Sequence, residues 1–219
     1  MAKAILYDYW RSSAAYRVRI ALALKGVEHE RVPVDLAAGA QKDAVYRGAN
    51  PQGLVPMLEI DGRRIVQSLA ICDYLEAIRP EPRLLPAGPG ERAHVLAMAG
   101  IVACDIHPLN NLRVLKHLTG PLGADESAKT AWIHRWIAEG FAALEAMAAP
   151  GARRFLAGDA PTLADVFLVP QMYNARRFDV PLGDYPTLVR ADAEACAHPA
   201  FAAAHPDAVR QVIPSPLSS

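Results

Sequence analysis

The spacing of apolar residues changes near residue 80. Before it they fall in short runs: residues 4–9 are apolar and aromatic, and residues 31–36 alternate, with Val32, Val34 and Leu36 on one side and Arg31, Pro33 and Asp35 on the other. Both patterns predict strands. Residues 13–25 between them run too long for one strand, and Gly26 is the residue a helix C-terminus favours, so a helix is expected there. Two more short runs, 54–60 and 63–66, are split by Asp61-Gly62, a pair that accepts positive φ in a type I′ turn and predicts a hairpin. Ser68 then precedes Ile71, Tyr74, Leu75 and Ile78 at helical spacing, and Arg79-Pro80 stops the pattern. The order reads β-α-β, a loop, then β-β-α.

From Gly90 onward strand signals disappear. Alanine-rich helical text covers 93–118, 127–148, 163–178 and 187–197, with breaks at Gly120-Pro121, Pro150-Gly151 and residues 181–186. The Pro- and Gly-rich stretch 81–90 reads as a linker between an α/β domain over 1–82 and an all-helical domain over 90–212.

Composition narrows the partners. The 219 residues are 52% apolar and 21% charged, ample for a buried core. Lys plus Arg (23) balances Asp plus Glu (23), so no net field gathers phosphates or an anionic membrane surface, and nucleic acid is not expected as a partner. Only residues 4–6 stand together as an apolar run before Asp8, so no secretory core is read, and the stretch 95–104 is half the roughly 20 residues a bilayer span requires. Cys72, Cys104 and Cys196 form no CxxC pair, which argues against a redox dithiol or disulfide framework and fits a reducing cytoplasm. His29, His94, His117, His134, His198 and His205 lack metal-ligand spacing, and no metal is expected.

Three segments carry candidate chemistry. Arg11-Ser12-Ser13 lies where the first strand hands over to its helix; the serines can cap the helix, and the same N–H groups and dipole would stabilise an anion, including a thiolate, near Ser12. In Leu54-Val55-Pro56-Met57, a cis Pro56 would turn the backbone groups of Val55 outward for an extended peptide, whereas a trans one is an edge-strand proline. Gln67-Ser68 sets an amide and a hydroxyl at a helix N-terminus, which suits either plain capping or an α-carboxylate. Thr162 and Asp165 read as a capping box serving the fold, and Trp132 with Trp136 at i, i+4 as core packing.

The block RSSAAYRVRIALALKG after a strand, with NPQGLVPMLEIDG, QSLAICDYLE, DIHPLNN (105–111), LVPQ (168–171) and NARRF (174–178), resembles the zeta class of glutathione transferases, which includes maleylacetoacetate and maleylpyruvate isomerases. The likeness spans about residues 5–206. It implies a thioredoxin-like βαβαββα half followed by an all-α half, glutathione as cofactor, a small dicarboxylate substrate and a homodimer. By the same resemblance Ser12, aided by Ser13, would hold the glutathione sulfur, Val55 the cysteinyl backbone, and Gln67 with Ser68 the γ-glutamyl end. His107 and Asn111 would reach glutathione or substrate, and Arg11 and Arg177 the substrate carboxylates, with Arg176 the weaker alternative to Arg177. Where the family often has Cys or Thr, this chain has Ala14, so the thiolate must rely on Ser12, Ser13 and the helix end.

The implied reaction is isomerisation of a cis enedioic acid, maleylacetoacetate to fumarylacetoacetate, in tyrosine and phenylalanine breakdown. A thiolate suits it because adding to the double bond frees the central bond to rotate, and departing restores the alkene. The alternatives are maleylpyruvate isomerisation, general conjugation of glutathione to electrophiles, and a non-enzymatic binding protein on the same scaffold.

Overall fold

The computed structural model describes residues 4–210. One compact unit takes the chain up to Ile78 together with the residues from Pro199 onward, and the other is Arg79–His198. The expected end of the helical domain, 212, lies outside the described residues, and the second unit ends at His198. Two short helices, α9 (Pro199–Ala204) and α10 (Pro206–Val209), belong to the first unit.

In the first unit the elements are β1 (Ala4–Asp8), α1 (Ser13–Leu24), β2 (His29–Pro33), α2 (Ala44–Ala49), β3 (Met57–Ile60), β4 (Arg63–Val66) and α3 (Ser68–Ile78). The sheet order is β2-β1-β3-β4, with β1 and β2 parallel and the other pairs antiparallel. Asp61 and Gly62 join β3 to β4 with φ of 51° and 72°, the positive pair a type I′ turn requires. Leu6, Met57 and Leu58 from the sheet are buried with Ile20 and Leu22 of α1 and Ile71 and Leu75 of α3.

Two strands differ from the sequence pattern. β2 ends at Pro33 rather than residue 36, because Asp35 turns its carboxylate back on the N–H groups of Ala37 (2.8 Å) and Ala38 (3.2 Å), a local bond that competes with the ladder. β3 starts at Met57 rather than residue 54. The Leu54 carbonyl is taken by the Tyr46 hydroxyl (2.7 Å) and Asn50 Nδ2 (2.6 Å), and Pro56 has no N–H to pair.

The second unit holds α4 (Pro89–Gly100), a π-helical stretch Ile101–Ile106, α5 (Leu112–Thr119), α6 (Glu126–Ala148), α7 (Leu163–Arg177) and α8 (Pro186–Cys196). α4 begins inside the expected linker, with Pro89 at the first helical positions, where its missing N–H leaves nothing unsatisfied. The expected single helix over 93–118 is interrupted at 107–111, where Pro108 follows the π stretch. Gly140 of α6 lets the end of that stretch pack close: a Cβ there would collide with the buried Ile106 side chain. Asp165 accepts from Leu156 N (2.9 Å), Thr162 N (2.8 Å) and Thr162 Oγ1 (2.9 Å), so the capping carboxylate also ties down the preceding loop.

Candidate active site

Strand register gathers the first unit's candidates. Tyr7 pairs with Met57, and Met57 with Val66, so one row of the sheet ends three segments together. Beyond Tyr7 the chain runs to Ser12, before Met57 stand Val55 and Pro56, and after Val66 come Gln67 and Ser68.

Ser12 is the N-cap of α1, with extended backbone, and its Oγ accepts from Ala15 N at 3.2 Å. A hydroxyl has two lone pairs and one proton, so this cap leaves the proton to donate outward. Ser13 is buried in the first turn, and Arg11 is exposed with its guanidinium 5.4 Å from the Trp10 ring centroid. Val55-Pro56 is a cis peptide. Neither the Val55 N–H nor its C=O has a hydrogen-bond partner among the described residues.

Gln67 stands at φ 70°, a left-handed conformation that a residue with a Cβ adopts at some cost, and its Nε2 donates to Gln52 Oε1 at 2.7 Å. Ser68, at the start of α3, is buried and accepts from Arg17 Nη1 at 3.3 Å. This guanidinium, only 1% exposed, was invisible in the sequence reading. The signal available was Arg17 and Arg19 inside an otherwise apolar run, with no polar face to take them to solvent. Cys72, one turn on, is pushed up to about 12 by burial, so its thiol is inert.

The second unit carries the remaining candidates. His107 ends the π stretch, and Asn111 caps α5 through Arg113 N at 3.1 Å. Arg177 is exposed at the end of α7, 4.5 Å over the Phe178 ring. Arg176 instead reaches the buried Asp192 at 2.6 Å. Burial raises the Asp192 carboxyl, with Arg176 opposing.

Two tethers from α6 escaped the sequence reading. Trp132 and Trp136, expected in the core, are half-buried and stack edge-on with centroids 5.6 Å apart; Trp132 Nε1 also donates to Leu109 O at 3.0 Å, holding the 107–111 segment. His134 meets Phe178 O at 2.6 Å, fixing the residue after Arg177. Among the described residues no group of three or more His, Cys, Asp or Glu could hold a metal ion, and no helix is long and apolar enough to cross a membrane.

This donor set fits an extended, anionic tripeptide: an open backbone pair at Val55, a polar helix start at Ser68, and a capping hydroxyl at Ser12. Known proteins give the family. Residues 2–77 match the family model for the glutathione S-transferase N-terminal domain, and residues 130–203 that for its C-terminal domain. The chain belongs to the glutathione S-transferase family. Within it the chain falls in the zeta class, since it is similar to the holo structure of a bacterial zeta-class transferase, maleylpyruvate isomerase, with TM-score 0.91 and 46% identity over 93% of this chain and 97% of that one. The maleylacetoacetate isomerase of Anaeromyxobacter dehalogenans 2CP-1, solved with bound glutathione, matches at TM-score 0.85 and 48% identity over 94% and 96% of the two chains. Maleylacetoacetate isomerase of Rhizobium meliloti (strain 1021) is 50% identical over 93% of this chain and 96% of its own length. Maleylpyruvate isomerase of Ralstonia sp is 48% identical over 87% and 91%.

Proposed function

We propose that this zeta-class chain is a glutathione-dependent cis–trans isomerase converting maleylacetoacetate to fumarylacetoacetate in tyrosine and phenylalanine breakdown. The observation that carries the reading is the row Tyr7, Met57 and Val66, which brings Ser12, Val55 and Gln67-Ser68 to one end of the sheet. Val55 offers its unpaired N–H and C=O to the cysteinyl backbone. Gln67, the Ser68 hydroxyl and the first N–H groups of α3 take the γ-glutamyl carboxylate. Ser12 donates to the sulfur, with Ser13 in the same turn and the positive end of α1 behind it.

When bound, glutathione would supply a thiolate able to add reversibly to the alkene carbon β to the substrate's keto group, and Ser12, Ser13 and the start of α1 would hold that sulfur. The Ser12 hydroxyl and the helix end lower the thiol's pKa from about 8.5 toward neutrality, where each unit is worth about 1.4 kcal/mol. Arg11 and Arg177 bind the substrate's carboxylates and the oxygen where charge develops, because guanidinium stays ionised and offers paired N–H donors. His107 and Asn111 are the second unit's candidates for contact with glutathione or substrate. A homodimer in the cytoplasm completes the reading, and sedimentation measures that assembly.

Incubating the purified protein with maleylacetoacetate and glutathione tests the proposal. Fumarylacetoacetate is expected, and Ser12→Ala is expected to lower kcat about a hundredfold. No product, or equal turnover without glutathione, overturns it. Maleylpyruvate is the second reading, favoured by the 0.91 TM-score with a maleylpyruvate isomerase. The two substrates differ by little more than a methylene, worth about 1–3 kcal/mol in a pocket, so the ratio of their kcat/KM values decides.

A further inference from the structure

The four residues Tyr9–Ser12 that join β1 to α1 carry both Arg11 and Ser12 and belong to no regular element. Their conformation is held by one bond within the turn and by contacts from outside it. Ser12 N donates to Tyr9 O at 2.8 Å. The Trp10 carbonyl accepts from Arg19 Nη2 at 3.0 Å. Arg19 is 2% exposed and directs two further donors: Nη1 to Asp8 Oδ1 at 2.7 Å and Nε to Ala204 O at 3.0 Å. Its planar fork thus spans the last residue of β1, the middle of the turn and the last residue of α9.

Arg31 provides the comparison. It shares Asp8, with Nε 2.8 Å from Oδ2, and donates Nη1 to Val209 O at 3.0 Å, at the end of α10. Both arginines therefore meet a helix C-terminus, where orphan carbonyls favour cations, and both meet the same buried carboxylate. Of the two, only Arg19 bonds to the turn.

We propose that Arg19 is a positioning residue for the Arg11–Ser12 turn, and that α9 takes part in the reaction through it by fixing the guanidinium that fixes the Trp10 carbonyl. A lysine cannot replace it, since a point charge on a flexible stem holds one of the three acceptors and not all at set angles. The inference rests on the proposed role of Ser12 toward the glutathione sulfur, and its test reads the sulfur directly.

The experiment titrates the ultraviolet absorbance of the thiolate in the glutathione complex of the full chain, alongside kcat and KM for glutathione. Arg19→Lys is expected to raise the bound thiol's pKa by about one unit and lower kcat at least tenfold. KM for glutathione stays within about threefold, because Gln67-Ser68 sits on another segment. Arg31→Lys is expected to lower the melting temperature without moving the thiol. A wild-type thiol pKa and kcat in Arg19→Lys, or an equal shift in Arg31→Lys, overturns the inference. Should Arg19→Lys not fold, Asp8→Asn decides: it loosens the same fork, and an unmoved thiol pKa overturns the inference. A parent protein that ionises bound glutathione but fails to isomerise overturns the proposed function instead and leaves this titration intact.

Discussion

Arg17 Nη1 donates to Ser68 Oγ at 3.3 Å, so a buried guanidinium on α1 holds the hydroxyl that opens α3. With one lone pair engaged by a cation, that hydroxyl keeps its proton for an incoming carboxylate and becomes a better donor. Ser68→Ala is expected to weaken glutathione binding about tenfold by calorimetry, the scale of one charge-assisted bond. It should also lower stability by about 1–3 kcal/mol, because an Arg17 donor is left facing a methyl group. Unchanged affinity would remove Ser68 from the γ-glutamyl seat.

Gln67 sets function against stability within one residue. Its φ of 70° favours glycine, which has no Cβ to strain. Gln67→Gly is therefore expected to hold or raise the denaturant midpoint while glutathione affinity falls several-fold. A variant that loses both would mean that the Gln67–Gln52 bond matters to the fold more than the backbone does.

Adjacent arginines on α7 are expected to separate by phenotype. Arg177→Ala should lower isomerisation at least a hundredfold while leaving conjugation of a simple electrophile to glutathione nearly intact. Arg176→Ala should retain isomerase activity and lose about 1–2 kcal/mol of stability, a modest figure because Arg176 is half exposed although its partner Asp192 is buried. Steady-state kinetics with both substrates, beside urea unfolding, checks the split.

Asp165 gives a pH dependence of definite sign. Burial raises its carboxyl, against the bonds it accepts from Leu156 and Thr162. The folded state therefore holds this proton more tightly than the unfolded chain. Its contribution is complete below the unfolded value of about 3.9 and drains away as pH rises through the folded one. Asp165→Ala should cost about 2–4 kcal/mol by stranding buried N–H groups, and the penalty should shrink from pH 4 to pH 8. A penalty that grows over that range would contradict the direction of the shift.

What the sequence made legible was local. Asp61-Gly62 announced the hairpin, and Thr162 with Asp165 announced the start of α7, because each acts within four residues. The alternation through Val34 and Leu36 misled, since Asp35 forms its own turn and ends β2. Pro108 was a visible reason to break the run 93–118, and helical alanine text concealed it. Ser12, Val55 and Ser68 could be named from motifs, but their convergence depends on the pairing of Tyr7, Met57 and Val66, which no local pattern states. The buried Arg19 and the half-buried Arg31 stayed hidden for the same reason. Arg19 and Arg31 find acceptors 185 and 178 residues away.

Those distant acceptors bear on synthesis. Because α9 and α10 belong with the sheet, Arg79–His198 is an insertion in the unit that precedes it. A nascent chain emerging from the ribosome has every residue of the inserted unit before it has the last helices of the unit begun first. The half that holds Ser12 is started first and finished last, and a stop codon shortly after residue 198 would spare the helical half while leaving Arg19 and Arg31 without the carbonyls they bind.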